Sequence, residues 1–180
     1  MVAPGQGAGT PERERMTAPG ESRATAAGII ARLSARGQSV ATAESLTGGL
    51  LAAALTGIPG ASAAFRGGIV AYATELKAVL LGVDPGLLGR HGAVSAEVAG
   101  AMAGGVAARL GATFGVSTTG VAGPDRAEGK PAGTVFIAAT AGRQPRVQRL
   151  ALDGGRNDIR RETVTAALAL LLVIMREENR

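Results

Sequence analysis

Residues 39–49 read SVATAESLTGG, a short apolar run that leads through Ser45 into a glycine-rich segment. The run predicts a strand over residues 39–43, and the segment after it predicts a helix over residues 47–55. A strand that turns directly into a helix gathers an exposed side chain, unpaired backbone N–H groups and the positive end of the helix dipole. Ser45 is therefore a candidate nucleophile for attack on a carbonyl carbon, with the N–H groups of residues 46–49 as candidate donors to the oxyanion.

A serine hydroxyl needs a base at neutral pH, and two residues are candidates. The chain has no cysteine and a single histidine, so a Ser–His pair would depend on His91 alone. Lys77 is the other candidate, provided that burial lowers its pKa far enough to leave the amine neutral. Each residue also has a plain structural alternative. Ser45 could be a helix N-cap, Lys77 a solvated lysine on a helix, and His91 a structural side chain.

Helices and strands alternate along the chain, and a hairpin followed by a helix comes last. The predicted strands are residues 39–43, 68–72, 114–118, 134–140 and 146–152. The last two are joined by a short connection and should pair antiparallel. The predicted helices are residues 23–36, 47–55, a segment capped by Thr74 that carries Lys77, a segment from Ser95 to Leu110, and residues 158–176 capped by Asn157. This order predicts an α/β fold, a three-layer α/β/α sandwich around a mixed, mostly parallel sheet of about five strands.

The ends of the chain and its hydropathy bear on domain organisation. Residues 1–22 are rich in Gly, Pro, Ala and charge without a periodic apolar face, which predicts a disordered tail before one domain over residues 23–178. We see no secretory signal, and the longest apolar run, residues 166–175, is shorter than the roughly 20 residues that span a bilayer. We therefore expect a cytoplasmic protein with no membrane partner.

The net charge of +5 arises largely from arginines between Arg143 and Arg161. A phosphate-bearing ligand, a solvated surface or a nucleic acid would each account for this cluster. Three Phe, one Tyr and no Trp leave little surface on which bases could stack, so we expect no nucleic-acid partner. One histidine and no cysteine also disfavour a zinc or iron site, and we expect neither a metal nor another cofactor.

Four segments follow directly after predicted strands: Ser45, Tyr72, residues 119–123 and residues 154–156. In open α/β sheets, ligands bind beyond the carboxyl ends of the strands. We therefore expect these four segments to converge on one binding site.

The motifs in these segments resemble the C-terminal domain family of the competence/damage-inducible protein CinA, whose stand-alone members are nicotinamide-nucleotide amidases. The matching stretches are TAES and TGG within residues 42–49, GIVAY (68–72) with Lys77, LGV (81–83), HGAVS (91–95), TGVAGP (119–124), KPAGTV (130–135) and GR (155–156). The likeness covers roughly residues 24–175, in order and with similar spacing.

The resemblance implies an amidohydrolase that converts nicotinamide mononucleotide to nicotinic acid mononucleotide and ammonia, with Ser45 as nucleophile and Lys77 as base. The expected substrate contacts are Glu44, Thr47, Gly48, Gly49, Tyr72, Thr119, Gly120, Gly123 and Arg156. The resemblance also favours a homo-oligomer. The pyrophosphatase-type domain of longer CinA proteins has no counterpart in these motifs, so its activity is not expected.

Two positions depart from the family pattern. Leu46 stands where a cysteine is common, and the loop over residues 125–129 is shorter and less acidic than usual, so we do not extend substrate contacts to that loop. A second hypothesis is a nucleotide-binding or regulatory module, linked to competence or DNA damage, in which the pocket remains without turnover.

Overall fold

A computed structural model describes residues 18–178, which form helices and strands in the predicted alternation. The helices are α1 (Ala18–Ala35), α2 (Leu50–Thr56), α3 (Thr74–Leu81), α4 (Pro85–His91), α5 (Ala96–Leu110) and α6 (Arg156–Glu177). The strands are β1 (Val40–Glu44), β2 (Phe65–Val70), β3 (Phe114–Gly120), β4 (Thr134–Thr140) and β5 (Arg146–Ala151). A short 3₁₀ turn, Ala61–Ala63, precedes β2. None of the helices within this part of the chain is long and apolar enough to cross a membrane.

The five strands form one mixed sheet in the order β2-β1-β3-β4-β5. β1 pairs in parallel with β2 and β3, whereas the pairs β3–β4 and β4–β5 are antiparallel. Four of the five strands therefore point the same way, and the predicted mostly parallel sheet and the predicted hairpin are both confirmed. Because β1, β2, β3 and β5 share a direction, their carboxyl ends meet at one edge of the sheet.

The two faces of the sheet carry side chains of different size. Large side chains such as Val40, Phe114 and Ile137 face one core, against α1, α2 and α6. Small side chains such as Ala43 and Ala138 face the other core, where α5 packs with α3 and α4. Since neighbouring residues of a strand point to opposite faces, this difference lets α5 lie close to the sheet and completes the three-layer sandwich.

The Gly104–Gly105 pair of α5 shows how close this packing is. A Cβ added to Gly105 would overlap the carbonyl oxygen of Leu81 at the end of α3, whereas a Cβ added to Gly104 would meet nothing within 4 Å. A glycine pair inside a helix predicts tight packing against a neighbour, and the structure shows it at Gly105 alone. This contact sets α3, which carries Lys77, against α5.

This asymmetry predicts opposite effects of two alanine substitutions. Gly105→Ala should lower the free energy of unfolding by about 1–3 kcal/mol or more, because α3 and α5 must move apart. Gly104→Ala should raise it by about 0.4–1 kcal/mol, because alanine favours the helix and restricts the unfolded chain. Urea unfolding of both variants checks the prediction, and equal effects of the two substitutions would contradict it.

The first helix begins earlier than its sequence pattern predicts. The tail expected over residues 1–22 lies mostly outside the described residues, but residues 18–22 belong to α1 rather than to a tail. The Ser22 hydroxyl lies 2.5 Å from that of Thr165 in α6, a contact that extends the packing of α1 on α6 to this turn. Pro19 falls in the first turn, where its missing N–H is not needed.

Three further local predictions are wrong. The sequence Asp84-Pro85-Gly86 predicts an irregular segment up to about His91, but this segment is α4, whose N-terminus is capped by the Asp84 carboxylate accepting from Gly86 N–H at 2.9 Å. Thr74 is the first residue of α3 and makes no capping bond. The last helix is capped at Gly155, whose N–H donates to the Asp158 carboxylate at 3.1 Å, and not at Asn157. The predicted Ser95 cap of α5 is confirmed, since its hydroxyl accepts from Val98 N–H.

Candidate functional site

Ser45 lies in the bend after β1, at the edge where four strands end. Its backbone N–H donates to the carbonyl oxygen of Thr118 in β3 at 3.0 Å, which ties the bend to the neighbouring strand. Ser45 is partly exposed and lines a cleft of about 340 Å³. This volume falls within the range of about 300–1,000 Å³ typical of small-ligand pockets. The four segments expected to converge each contribute to the cleft lining or to its rim, with Tyr72 and Arg156 among the lining residues.

Lys77 reaches Ser45 from α3. Only 1% of Lys77 is exposed, which makes it the most unusual buried residue of the core. Its Nζ lies 3.3 Å from Ser45 Oγ, and it also lies 2.9 Å from the carbonyl oxygen of Ala71 and 3.4 Å from that of Tyr72. The structure therefore brings the two expected catalytic residues within hydrogen-bonding distance of each other.

The surroundings of Lys77 Nζ suit a neutral amine. Burial lowers the pKa of Lys77 below its ordinary value of 10.5, while the carboxylates of Glu128 and then Glu75 act in the raising direction. A neutral amine has two N–H donors and one lone pair. Protonated Lys77 can donate to all three oxygens, whereas the neutral amine can keep its donors on the two carbonyl oxygens and offer its lone pair to the hydroxyl of Ser45.

Glu44 supports the bend and does not line the cleft. The residue is 1% exposed, and its carboxylate oxygens accept from the backbone N–H groups of Gly49, Leu51 and Ala52 at 2.8–3.0 Å. These N–H groups open α2 and have no acceptor within the helix. The expected substrate contact of Glu44 is therefore corrected: its side chain caps α2.

Thr47, Gly48 and Gly49 do not line the cleft either, so any substrate contact of Thr47 would have to come from its backbone N–H rather than its side chain. The Thr47 side chain is buried, with its hydroxyl 2.7 Å from that of Thr118. Gly48 and Gly49 have φ values of 57° and 96°, a left-handed pair that favours glycine. Together they turn the chain from β1 into α2.

Only part of the bend remains available to bind an oxyanion. Gly48 N–H donates to the carbonyl oxygen of Ser45 at 3.1 Å, and Gly49 N–H donates to Glu44. The N–H groups of Leu46 and Thr47 have no acceptor among residues 18–178. The four expected donors are thus reduced to two, and Leu46 is the one that lines the cleft.

Tyr72 and Arg156 meet at the far side of the cleft. One Nη of Arg156 donates to the Tyr72 hydroxyl at 2.8 Å, and the other donates to the carbonyl oxygen of Gly123 at 2.8 Å. Because Lys77 Nζ contacts the Tyr72 carbonyl oxygen, Tyr72 spans the distance from Lys77 to the guanidinium. Tyr72 is 57% exposed, although its hydroxyl bonds to neither Ser45 nor Lys77.

Thr119, Gly120 and Gly123 line the cleft through the backbone more than through side chains. The Thr119 hydroxyl donates to the carbonyl oxygen of Ala93 at 2.7 Å and is buried. A Cβ on Gly120 would lie 2.8 Å from the carbonyl oxygen of Thr134, so glycine is needed there for the close approach to β4. Gly123 has a φ of 79°, and its carbonyl accepts from Arg156.

Glu128 is a residue of the cleft lining that the sequence pattern does not reveal. Its carboxylate accepts from the N–H groups of Ala93 and Val94 at 2.9 and 3.0 Å, and all three residues line the cleft. It is the one non-glycine residue with positive φ in the described range, at 50°. The sequence offered only its position before the KPAGTV motif as a signal, since its partners lie about 35 residues earlier.

The remaining candidates separate from the site. His91 does not line the cleft, and its Nδ1 lies 3.4 Å from the Glu97 carboxylate. Within residues 18–178, no three His, Cys, Asp or Glu side chains are grouped as a metal site would need. The arginine cluster divides, since Arg143 and Arg146 pair with glutamates at the end of α6 while Arg156 faces the cleft.

Comparisons with known proteins agree with this architecture. A family model described as the CinA C-terminal domain matches residues 22–175. A CinA-like protein of Frankia casuarinae is 54% identical over 143 residues, which cover 79% of this chain and 33% of that relative. A CinA-like protein of Acidobacterium capsulatum is 45% identical over 79% of this chain and 35% of the relative. The chain thus spans about a third of the length of these curated relatives.

Solved structures extend the likeness to nearly whole chains. The competence/damage inducible protein CihA from Agrobacterium tumefaciens superposes with a TM-score of 0.84 at 40% identity, over 87% of this chain and 97% of that one. A competence-damaged protein (CinA) superfamily protein from Escherichia coli gives 0.83 at 31% identity, over 91% and 94%. With its α/β/α fold and the edge cleft beside Ser45, the chain belongs to the CinA C-terminal domain family.

Proposed function

We propose that this chain hydrolyses the carboxamide of nicotinamide mononucleotide to nicotinic acid mononucleotide and ammonia. The observation that carries the proposal is the buried Lys77, whose Nζ lies 3.3 Å from the hydroxyl of Ser45 at the floor of a cleft. An amine that burial holds towards its neutral form can take a proton from serine near neutral pH.

The proposed reaction has two stages. Lys77 Nζ takes the hydroxyl proton as Ser45 Oγ bonds to the carboxamide carbon, and the carbonyl oxygen becomes an oxyanion that accepts from Leu46 N–H at the cleft, with Thr47 N–H as the next unpaired donor of the bend. Collapse of the tetrahedral intermediate breaks the C–N bond while Lys77 returns its proton to the leaving nitrogen, which departs as ammonia. Water then cleaves the acyl ester, again through proton transfer to Lys77 and back to Ser45.

The other end of the cleft suits the rest of the substrate. A guanidinium has five N–H donors, and two of those on Arg156 are used by Gly123 and Tyr72. The remaining donors, at the first residue of the 22-residue helix α6, would bind the phosphate. The exposed ring of Tyr72 would contact the cationic pyridinium.

A module that only binds nucleotide would not need this arrangement. Burying a lysine costs free energy, and a binding site gains nothing from an amine placed against a serine hydroxyl. The substrate-binding alternative would use Arg156 and Tyr72 equally well, so the two hypotheses differ in turnover alone.

Ammonia release by the purified protein tests the proposal. Nicotinamide mononucleotide should be hydrolysed, and nicotinamide riboside, which lacks the phosphate, should be hydrolysed with a higher KM. A folded protein that binds the mononucleotide without releasing ammonia would overturn the amidase proposal in favour of the binding module.

The carboxylate of Glu128 gives a test through pH. The rate should rise with pH as Lys77 loses its proton, because only the neutral amine accepts one. Glu128→Gln removes a negative charge that raises the pKa of Lys77, so the rising limb of kcat/KM should move to lower pH. Glutamine can still accept one of the two N–H bonds that Glu128 accepts, which limits the structural change.

Glu75→Gln is the matched control for this prediction. Glu75 is exposed and raises the pKa of Lys77 less than Glu128 does. The rising limb of kcat/KM should therefore move less in Glu75→Gln than in Glu128→Gln. A rising limb that stays in place in Glu128→Gln, or moves to higher pH, would contradict the assignment of that limb to Lys77.

A further inference from the structure

Arg160 hydrogen-bonds to the bend that carries the candidate nucleophile. This arginine lies one turn into α6, and its Nε donates to the carbonyl oxygen of Leu46 at 3.0 Å. One Nη donates to the carbonyl oxygen of Thr47 at 2.8 Å. A single guanidinium thus holds two consecutive peptide groups directly after Ser45, from a helix more than 110 residues away in sequence.

Peptide geometry connects these two hydrogen bonds of Arg160 to the unpaired N–H groups of Leu46 and Thr47. The peptide bonds of the bend are trans, so each C=O points opposite to the N–H of its own peptide group. The peptide group held at the Leu46 carbonyl is the one whose N–H belongs to Thr47. Arg160 therefore fixes the direction of the Thr47 N–H, which has no acceptor among the described residues.

The second bond acts on Leu46 through one more peptide group. Arg160 holds the Thr47 carbonyl, and the N–H of the same peptide group, that of Gly48, donates to the carbonyl oxygen of Ser45. That carbonyl belongs to the peptide group whose N–H is that of Leu46, the unpaired donor at the cleft. Both free N–H groups are thus oriented by peptide groups that Arg160 holds directly or through Gly48.

We propose that Arg160 is a positioning residue for the oxyanion hole, an inference that rests on the proposed amidase function. It orients the N–H groups of Leu46 and Thr47 without touching substrate, and its bond to the Leu46 carbonyl polarises the Thr47 N–H of the same peptide group as a donor. Lysine is a poor substitute, because a point charge cannot donate along two fixed directions as a guanidinium does.

Arg161 provides a matched control on the same helix. It is exposed, and its guanidinium makes no hydrogen bond or ion pair within residues 18–178. Arg161→Met therefore removes one positive charge from α6 and leaves the hydrogen bonds of Arg160 in place. The test compares Arg160→Met, Arg160→Lys and Arg161→Met by ammonia release and by labelling of Ser45 with a fluorophosphonate. Labelling needs the oxyanion hole and the nucleophile but not a nucleotide substrate.

In Arg160→Met, kcat and the labelling rate should fall by at least about tenfold, and by no more than the roughly 10²–10³-fold that complete loss of an oxyanion donor costs. KM and the pH of the rising limb should stay as in the wild type, since Arg156 and Lys77 are untouched. The kcat and labelling rate of Arg160→Lys should lie between those of Arg160→Met and the wild type. Arg161→Met should match the wild type. A rise in KM with unchanged kcat, or a shift of the rising limb of the pH profile, would overturn the positioning role.

Amide NMR spectra of the 17.8 kDa chain keep the inference independent of turnover. The Leu46 and Thr47 amide signals should move in Arg160→Met and stay in Arg161→Met, and unmoved signals in both would overturn the proposal even if the protein folds. If the wild type labels at Ser45 but releases no ammonia, the choice of substrate fails and the role of Arg160 stands. If the amide signals move but neither labelling nor turnover occurs in the wild type, the positioning of a catalytic donor is overturned together with the proposed function.

Discussion

Ammonia release from nicotinamide mononucleotide should fall by about 10⁴–10⁶-fold in Ser45→Ala, the range that single deletions cause in a serine-hydrolase triad. Oγ is the atom that would form the acyl bond, and alanine offers no replacement. The effect should appear in kcat, with substrate binding kept, because Arg156 and Tyr72 lie at the other end of the cleft. Steady-state kinetics with direct binding of the substrate to the variant measures both quantities.

The Ser45 substitution should leave the fold intact. Among the described residues, the Ser45 hydroxyl contacts only Lys77, and the backbone bond to Thr118 does not need the side chain. Ser62→Ala is the matched control, since Ser62 is exposed in the 3₁₀ turn before β2 and should keep full activity. Turnover that survives in Ser45→Ala would show that another group performs the attack and would end the proposed mechanism.

Sequence periodicity predicted the architecture because each strand and each long helix carries its own apolar pattern. The buried strands β1, β3 and β4 and the Ser95-capped helix α5 could be located within one or two residues in most cases. β2 was placed three residues late, because its two glycines and its irregular pairing with β1 break the pattern. The boundary of α1 was missed because Ser22 contacts α6, a partner that a local pattern does not reveal.

The sequence predicts site residues only where the side chain itself has a distinctive chemistry. Ser45, Lys77 and Arg156 could be named as candidates because their chemistry is distinctive and their motifs resemble a known family, and the structure places all three in the lining of one cleft. Glu44 and Thr47 belong to the same motif, yet their side chains face the interior, which depends on the register of β1 against β3. Motif membership therefore does not distinguish a substrate contact from a residue that supports one.

One acidic and one basic residue near the site could not be predicted from the sequence. Glu128 and Arg160 both bond to backbone groups of a distant segment, Glu128 to residues 93–94 and Arg160 to residues 46–47. Backbone groups have no sequence signature, so such partners become visible only in three dimensions. Glu128 lines the cleft itself, whereas Arg160 acts on it only through the backbone of residues 46–47.

Lys77→Met should reduce kcat by at least about 10²–10⁴-fold, the contribution of a positioned general base. Lys77→Arg should be no better, because a guanidinium stays protonated throughout the accessible pH range. Methionine is close to lysine in volume and fills the buried space, so the variant should fold. Activity restored to Lys77→Met merely by raising the pH would contradict the role, since no amine remains to be deprotonated.

The same variant should change how stability depends on pH, and the sign follows from the lowered pKa of Lys77. In the unfolded chain the amine has its ordinary pKa of 10.5, whereas burial lowers the pKa in the fold. Between these two values the unfolded chain binds more protons than the folded one, so the free energy of unfolding of the wild type rises with pH across that window. Below the window, the penalty for the buried ammonium is present in full.

Lys77→Met lacks this titration, so its free energy of unfolding relative to the wild type should be most favourable near neutral pH and should decline towards pH 10. The unpaired carbonyl oxygen of Ala71 destabilises the variant equally at every pH, and therefore cancels when the two pH values are compared. Urea unfolding of both proteins near pH 7 and near pH 10 measures this difference. A difference that stays constant would mean that Lys77 keeps its ordinary pKa in the fold, and one that grows with pH would mean that the pKa is raised; in either case the amine could not act as the base for Ser45.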